Sequence, residues 1–198
     1  MSRRPLGYLY ALVETLLLTV IIFFVLQTFV ARPYCIQQQS MEQTLEPDQC
    51  VLIDELTPRF GSYTRGDIVV FKPPPGWAQQ KDGAPYIKRI IGIGGDMVAI
   101  RGGAVYVNGA QLAEPYLYSQ DGLPQPTDAQ GIDHWLVPMG QLFVMGDHRA
   151  VSADSRASGT VPTSFLIGRA WLRYLPLGTF GIVGKPGHPE LASPSPSR

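Results

Sequence analysis

The feature that most constrains this chain is a long apolar run near its N-terminus, from Tyr8 to Ala31, in which Glu14 is the only charged residue. About 20 such residues in a helix span the hydrocarbon core of a bilayer. The apolar core of a cleaved secretory signal is shorter, about 7–15 residues, and ends in a small-x-small site, where this chain would have Phe29 and Ala31. We therefore predict a retained transmembrane anchor over residues 8–31 rather than a cleaved signal.

The charges beside this run predict its orientation. Arg3 and Arg4 precede it on a very short tail, and the positive-inside rule places such a tail in the cytoplasm. Arg32, on the other side, is a weaker opposing signal because one long side chain can snorkel at the interface. The prediction is a cytoplasmic N-terminus, 1–7, and an extracytoplasmic domain, 32–184.

Composition excludes several other classes of protein. The chain has 198 residues, 45% of them hydrophobic, which suits one packed domain plus an appendage. Sixteen basic side chains balance sixteen acidic ones, so no charge excess indicates a nucleic-acid partner. Cys35 and Cys50 are the only cysteines and lack zinc-site spacing, so we expect no metal and no cofactor. Whether these two cysteines form a disulfide or remain free thiols is left open by the sequence.

The rest of the chain has the pattern of a β protein. Its apolar runs are short, rich in Val, Ile, Tyr and Phe, and separated by Gly, Pro and Asp. Gly102-Gly103 and Asn108-Gly109 are suitable hairpin turns. A mainly β outer domain is therefore predicted. The Pro- and Ser-rich end, 185–198, has no apolar periodicity and is predicted to be a disordered tail.

Two side chains that could take part in catalysis stand out within this pattern. Ser40 lies in the polar turn "CIQQQSMEQTL", just after the apolar run. Lys88 lies in the strand pattern "PYIKRIIGIGGD" beside Arg89, and alternation sends neighbours to opposite faces, so one of the two should be partly covered. Burial disfavours an ammonium ion, and a lysine with a lowered pKa is a competent general base. Taken alone, Ser40 would be an ordinary turn serine and Lys88 a lysine that snorkels to water.

A third polar stretch, "GDHRAVSADSR", follows the strand pattern "QLFVM" and spans Gly146 to Arg156. It is either a solvated loop with surface ion pairs or a polar shell around a catalytic lysine. In the second case a hydroxyl orients the lysine and an Asp/Arg pair holds the loop in place.

These stretches resemble the conserved boxes of the type I signal peptidases, membrane-bound Ser/Lys proteases that remove signal peptides from exported proteins. "SMEQTL" is similar to that family's Ser-Met-x-Pro-Thr-Leu, and "RGDIVVF", "YIKRIIGIGGD" and "GDHRAVSADSR" are similar to its next three boxes. They occur in family order after an N-terminal apolar segment, over most of residues 8–184. The resemblance implies a mostly antiparallel β-sheet catalytic domain with a smaller excursion, here at about 102–140.

The resemblance also implies a role for each matching residue. Ser40 would be the nucleophile and Lys88 its general base, at the outer face of the cytoplasmic membrane, with preprotein signal peptides and the lipid bilayer as partners. The remaining implied roles are a hydrogen bond from Ser152 to the lysine, an ion pair between Asp154 and Arg156 in a loop that also carries Asp147 and Arg149, and packing of Met41 beneath the scissile residue.

Several positions depart from the family pattern. Gln38 stands where a Ser or Gly is usual, so its amide would replace a hydroxyl in binding the oxyanion. Gln43 and Gly94 replace prolines, and His148 replaces an asparagine. These departures keep two alternatives open. One is a catalytically weak or inactive anchored β scaffold, and the other is a hydrolase that uses His134 or His148 as its base, although no GxSxG elbow surrounds Ser40.

Overall fold

The computed structural model describes residues 4–29, 31–55, 62–78 and 83–191. Its N-terminal part is a helix, α1, over Arg4–Phe29, with large apolar side chains exposed from Tyr8 to Phe23. Among the described residues, no helix combines the length and the apolar character that crossing a membrane requires. Residues 24–31 of the predicted anchor lie outside the part of the chain whose side chains are described.

The remainder is built from short strands. In chain order the strands of the described residues are β1 (Ala31–Cys35), β2 (Cys50–Asp54), β3 (Ile68–Phe71), β4 (Tyr86–Ile93), β5 (Met97–Arg101), β6 (Ala104–Val107), β7 (Ala110–Gln111), β8 (Ser119–Gln120), β9 (Leu123–Pro124), β10 (His134–Leu136), β11 (Gln141–Met145), β12 (Val161–Pro162), β13 (Leu166–Leu175) and β14 (Gly181–Ile182). One further short helix, α2, covers Ser155–Ser158. The predicted mainly β fold is confirmed.

All strand pairings are antiparallel among the described residues. The main sheet has the order β1-β2-β13-β3-β4-β11-β12, with β14 paired to β13. A smaller sheet, β10-β5-β6-β7, and the β8–β9 hairpin form the excursion between β4 and β11. Chain order and spatial order differ widely, so residues distant in sequence meet on β4, an interior strand of the main sheet.

Strand β4 is covered on both faces. Ile87 belongs to one apolar cluster, whereas Tyr86 and Ile90 belong to another. As a result, Lys88 and Arg89 are each only 1% exposed. The sequence predicted that one of these two side chains would be partly covered, because the argument from strand alternation assumes a sheet with one open face. Both are buried, since the curled sheet and the excursion enclose both faces of the strand.

The predicted tail, 185–198, divides into two parts. Its first part makes polar contacts with the domain, Lys185 Nζ to Asp67 Oδ1 (3.2 Å) and Ala113 N to Glu190 Oε1 (3.0 Å), and His188 Nδ1 lies 3.0 Å from Glu190 Oε1 within the tail itself. This ordered segment differs from the expected disorder, because a Pro/Gly-rich composition does not reveal partners that are distant in sequence. The rest of the tail, 192–198, lies outside the described residues.

Candidate active site

Ser40 lies in the turn between β1 and β2. The two strands place Cys35 opposite Cys50, and these residues form a disulfide with a Cα–Cα distance of 4.0 Å. The pairing that the sequence left open is therefore present, and it closes the base of the turn. Above it, a 3-10 turn over Gln39–Met41 carries Ser40, while Met41 and Leu45 are buried in the core. The turn of residues 36–49, which carries Ser40, is thus held at its base and on its inner side.

Lys88 reaches this turn from the centre of β4. Its Nζ lies 2.7 Å from Ser40 Oγ and 3.0 Å from the carbonyl oxygen of Ile87. Ser40 is 4% exposed and Lys88 1% exposed, so the contact is shielded from solvent. Because the distance is within hydrogen-bonding range, a proton can pass between the two atoms without an intervening water.

The surroundings of Lys88 make it a better base than an ordinary lysine. The pKa of Lys88 is lowered to about 8, mainly by burial and to a smaller extent by the Arg156 cation, whereas the carboxylates of Asp154 and Asp147 oppose this shift. At such a pKa about one lysine in ten is neutral at pH 7. Desolvation therefore supplies the uncharged amine that a general base requires.

Gly146 allows the third segment of the site to approach the turn. A Cβ at this position would lie 2.3 Å from Ser152 Oγ and 2.5 Å from the Ser40 carbonyl oxygen, closer than real side chains pack. Two residues on, His148 N donates a hydrogen bond to that same carbonyl oxygen (3.0 Å). The sequence identified this glycine only as the first residue of the third polar stretch. Its close backbone approach has no local sequence signal.

Asp147 holds the same segment against β4. Arg89 donates from Nε to Asp147 Oδ1 (2.8 Å) and from Nη2 to Oδ2 (2.6 Å), and Thr44 Oγ1 donates to Oδ2 (2.6 Å). The ring of Tyr116 lies 3.9 Å from Arg89 Cζ. The resemblance implied an ion pair between Asp154 and Arg156, which the structure forms, but no partner for Asp147, whose partner is Arg89 on the lysine strand. This explains how a charged side chain is accommodated beside Lys88.

Two other arginines organise the loop itself. Arg156 donates from Nε to Asp154 Oδ1 and from Nη2 to Asp154 Oδ2, both at 2.9 Å, and Gly146 N donates to Asp154 Oδ2 (3.1 Å). Arg149 pairs with Glu114 of the excursion. All of these carboxylates and guanidinium groups are almost fully buried, so breaking one pair would leave an uncompensated charge.

Two expected contacts are not formed. Ser152 is 5% exposed, but its Oγ has no hydrogen-bond partner among the described residues, and the lysine donates to Ser40 and to Ile87. Gln38 directs its amide nitrogen at the carbonyl oxygen of Pro85 (3.1 Å). In this state the Gln38 side chain bridges to the segment before Lys88 rather than to an oxyanion position.

Further contacts around the turn were missed by sequence reasoning. Glu42 Oε2 lies 2.7 Å from His148 Nδ1, and the His148 ring stacks on Tyr118 at a centroid distance of 3.8 Å. Gln43, at the place of the motif's proline, has φ 71°, a backbone angle that proline cannot adopt. Among the described residues, no group of three His, Cys, Asp or Glu is arranged to hold a metal.

Comparison with known proteins agrees with this architecture. The family model "Signal peptidase, peptidase S26" matches residues 9–175. A signal peptidase I from Leptolyngbya laminosa is 36% identical over 179 residues, covering 88% of this chain and 83% of that protein. One from Mycobacterium tuberculosis is 34% identical over 212 residues, covering 84% of this chain and 72% of that protein.

Among solved structures, a signal peptidase I from Enterococcus faecalis V583 aligns with a TM-score of 0.41 at 29% identity, covering 55% of this chain and 96% of that chain. The family model extends from α1 through β13 and includes all three segments that meet at Ser40. The chain therefore belongs to the S26 signal peptidases and is a serine endopeptidase of the signal peptidase I type.

Proposed function

We propose that this enzyme cleaves signal peptides from exported preproteins at the outer face of the cytoplasmic membrane, with Ser40 as nucleophile and Lys88 as general base. The observation that carries the proposal is the 2.7 Å contact between Lys88 Nζ and Ser40 Oγ in a buried setting. A lysine is otherwise rarely fully buried, and here it has a lowered pKa and a hydroxyl partner.

The reaction follows from these two groups. Neutral Lys88 takes the proton from Ser40 Oγ as that oxygen attacks the carbonyl carbon of the residue before the cleavage point. The backbone N–H of Ser40 stabilises the resulting oxyanion, and Gln38 would contribute only after releasing Pro85. The ammonium of Lys88 then protonates the departing amine. The same amine activates the water that hydrolyses the acyl-enzyme.

Other residues of the site support this pair. Met41 is fully buried directly after the nucleophile, and we place it beneath the scissile residue of the substrate. Asp147, Arg149, Asp154 and Arg156 hold the loop that contacts the Ser40 carbonyl. We assign Ser152 to orienting the lysine during turnover, since its buried hydroxyl lies beside Gly146 and the Ser40 backbone.

We also propose that residues 8–31 anchor the enzyme, with 1–7 in the cytoplasm and the domain 32–184 outside. Support comes from the exposed apolar side chains along α1 and from the Cys35–Cys50 disulfide, which is typical of an oxidising compartment. About nine residues separate the anchor from Ser40, a reach of at most roughly 30 Å. The nucleophile would therefore work in a thin layer above the bilayer, where a signal peptide's cleavage site emerges.

The test is cleavage of a purified preprotein by the full chain in detergent or liposomes, with the new N-terminus mapped. Ser40→Ala and Lys88→Ala should abolish processing while retaining the thermal unfolding midpoint of a folded domain. Processing by Lys88→Ala that is lost in His148→Ala would instead support a histidine base. Absence of any processing by the wild-type chain would favour the inactive scaffold.

A further inference from the structure

We propose that the segment 118–120, at the start of the β8–β9 hairpin, positions the nucleophile turn, residues 36–49 with Ser40. Glu42 and Gln43 are the residues that hold the turn in this position. The proposal rests on Ser40 being the nucleophile. It adds a docking contact on the outer side of the turn, provided by a part of the chain more than seventy residues away. Gln43 and Glu42 are thus positioning residues, since neither touches the reacting atoms.

The first contact is a two-ended amide bridge. Gln43 Nε2 donates to the carbonyl oxygen of Ser119 (3.0 Å) and to Ser119 Oγ (3.1 Å), while Ser119 N donates to Gln43 Oε1 (2.9 Å). The side-chain amide therefore pairs with both backbone groups of Ser119, as a neighbouring strand would. A shorter or non-amide side chain cannot satisfy donor and acceptor together.

The backbone of Gln43 is shaped for this bridge. Its φ of 71° lies in the left-handed region, which a glutamine rarely adopts without compensating contacts. One such contact is the hydrogen bond from Gln43 N to Glu46 Oε1 (2.9 Å), and the others are the bonds to Ser119. The contacts that keep this angle also keep the side chain directed at the hairpin.

The second contact involves the residue before Gln43. Glu42 Oε2 lies 2.7 Å from His148 Nδ1, and the His148 ring is stacked on Tyr118 with an interplanar angle of 13°. The backbone joins the same groups, because His148 N donates to the Ser40 carbonyl and Tyr118 N donates to the Asp147 carbonyl (3.1 Å). Ser119 thus contacts Gln43 directly, and the adjacent Tyr118 contacts His148, the partner of Glu42.

These contacts matter because the inner side of the turn is held separately. Met41 and Leu45 fix it to the core, and the disulfide closes its base. Without the hairpin, the outer side of the turn loses the bridge from Gln43 to Ser119 and keeps the hydrogen bond from Thr44 to Asp147, and Ser40 lies only three residues before Gln43. Displacement of a reacting group by about 1 Å can cost a hundredfold in rate, so a partial shift should lower kcat measurably.

The test uses substitutions that accept a positive φ but cannot form the bridge. Gln43→Gly removes the amide, and Gln43→Asn keeps an amide that is one methylene too short. Gln130→Gly is the matched control, since Gln130 is also an exposed glutamine with positive φ (56°) in the excursion, and no side-chain hydrogen bond to another described residue is formed by it. Each variant is assayed on a preprotein, with rates referred to the folded fraction from thermal unfolding.

We expect kcat to fall about tenfold in Gln43→Gly and by a smaller factor in Gln43→Asn, with KM unchanged and Gln130→Gly equal to wild type. Hydrogen exchange at the Ser119 amide should accelerate in both Gln43 variants and not in Gln130→Gly. Wild-type kcat in both Gln43 variants would overturn the positioning role, as would an equal loss in Gln130→Gly. Full activity of Ser40→Ala would instead overturn the proposed function, on which this inference depends.

Discussion

The pH dependence of cleavage provides the sharpest test of the lysine. In the proposed mechanism only neutral Lys88 accepts the Ser40 proton, so kcat/KM should follow the unprotonated fraction of the amine. With a pKa of about 8, that fraction is roughly one in a hundred at pH 6, one in ten at pH 7 and nine in ten at pH 9. An unburied lysine would be neutral in only about one molecule in 3,000 at pH 7.

The sign of the effect is therefore fixed. Burial lowers the pKa, which moves the acid limb of the profile down from the alkaline range toward neutrality. The rate should rise about tenfold for each pH unit up to about pH 7, bend near pH 8 and level off above pH 9. The assay is kcat/KM on a preprotein or a signal-peptide substrate from pH 5.5 to pH 10, with domain folding followed at each pH.

Two variants complete the experiment. Lys88→Arg keeps a cation that never becomes neutral and should be inactive at every pH. Lys72→Arg alters an exposed lysine and should reproduce the wild-type profile. A midpoint above pH 10 would refute a buried base. A midpoint near the ordinary imidazole value of about 6.5 that disappears in His148→Gln would assign the proton transfer to a histidine.

Three further outcomes are expected. Lys88→Met should abolish cleavage yet raise the free energy of unfolding at pH 7 by about 3 kcal/mol in urea titrations. The reason is that the lowered pKa of Lys88 makes the wild-type fold less stable at pH below about 8, a penalty that disappears as the pH rises toward the lysine pKa of the unfolded chain. An equal gain in stability at pH 10.5 would contradict this. Gly146→Ala should lose most activity and about 1–3 kcal/mol of stability through overpacking, while Gly178→Ala, with open space around it, should change neither. Replacing Cys35 and Cys50 together with serine should cost about 3 kcal/mol, and reduced wild-type protein should match the double variant; unchanged stability would show that the disulfide does not constrain the chain.

The parts of the site that sequence could predict are those with a local pattern. Short Val- and Ile-rich runs separated by Gly and Pro predicted a β domain, and strand alternation around Lys88 predicted that it or Arg89 would be covered. The pairing of Ser40 with Lys88 came from the order of four motifs, since nothing in either stretch alone indicates that they meet. The structure brings their side chains to 2.7 Å.

Strand alternation did not predict that Arg89 would be buried together with Lys88, and the reason is physical. A one-sided sheet offers one buried face, but the fold wraps apolar clusters around both faces of β4. Arg89 is tolerated inside because Asp147, which follows strand β11, reaches it with both carboxylate oxygens. That partner lies 58 residues away in sequence, so no local pattern shows it. The docked segment around Glu190 depends on a contact 77 residues away in sequence, with Ala113.

The departures from the family motif illustrate the same limit with a functional consequence. Considered position by position, Gln43 lacks a proline's rigidity and His148 lacks an asparagine's amide, and each looks like a loss. In three dimensions each is one half of a contact: Gln43 bridges to Ser119, and His148 lies between Glu42 and Tyr118. Because a proline at 43 could neither adopt φ 71° nor donate to Glu46, stiffness of the turn here derives from side-chain contacts instead of from a ring. Replacing Gln43 with the motif's proline should therefore impair this enzyme rather than improve it.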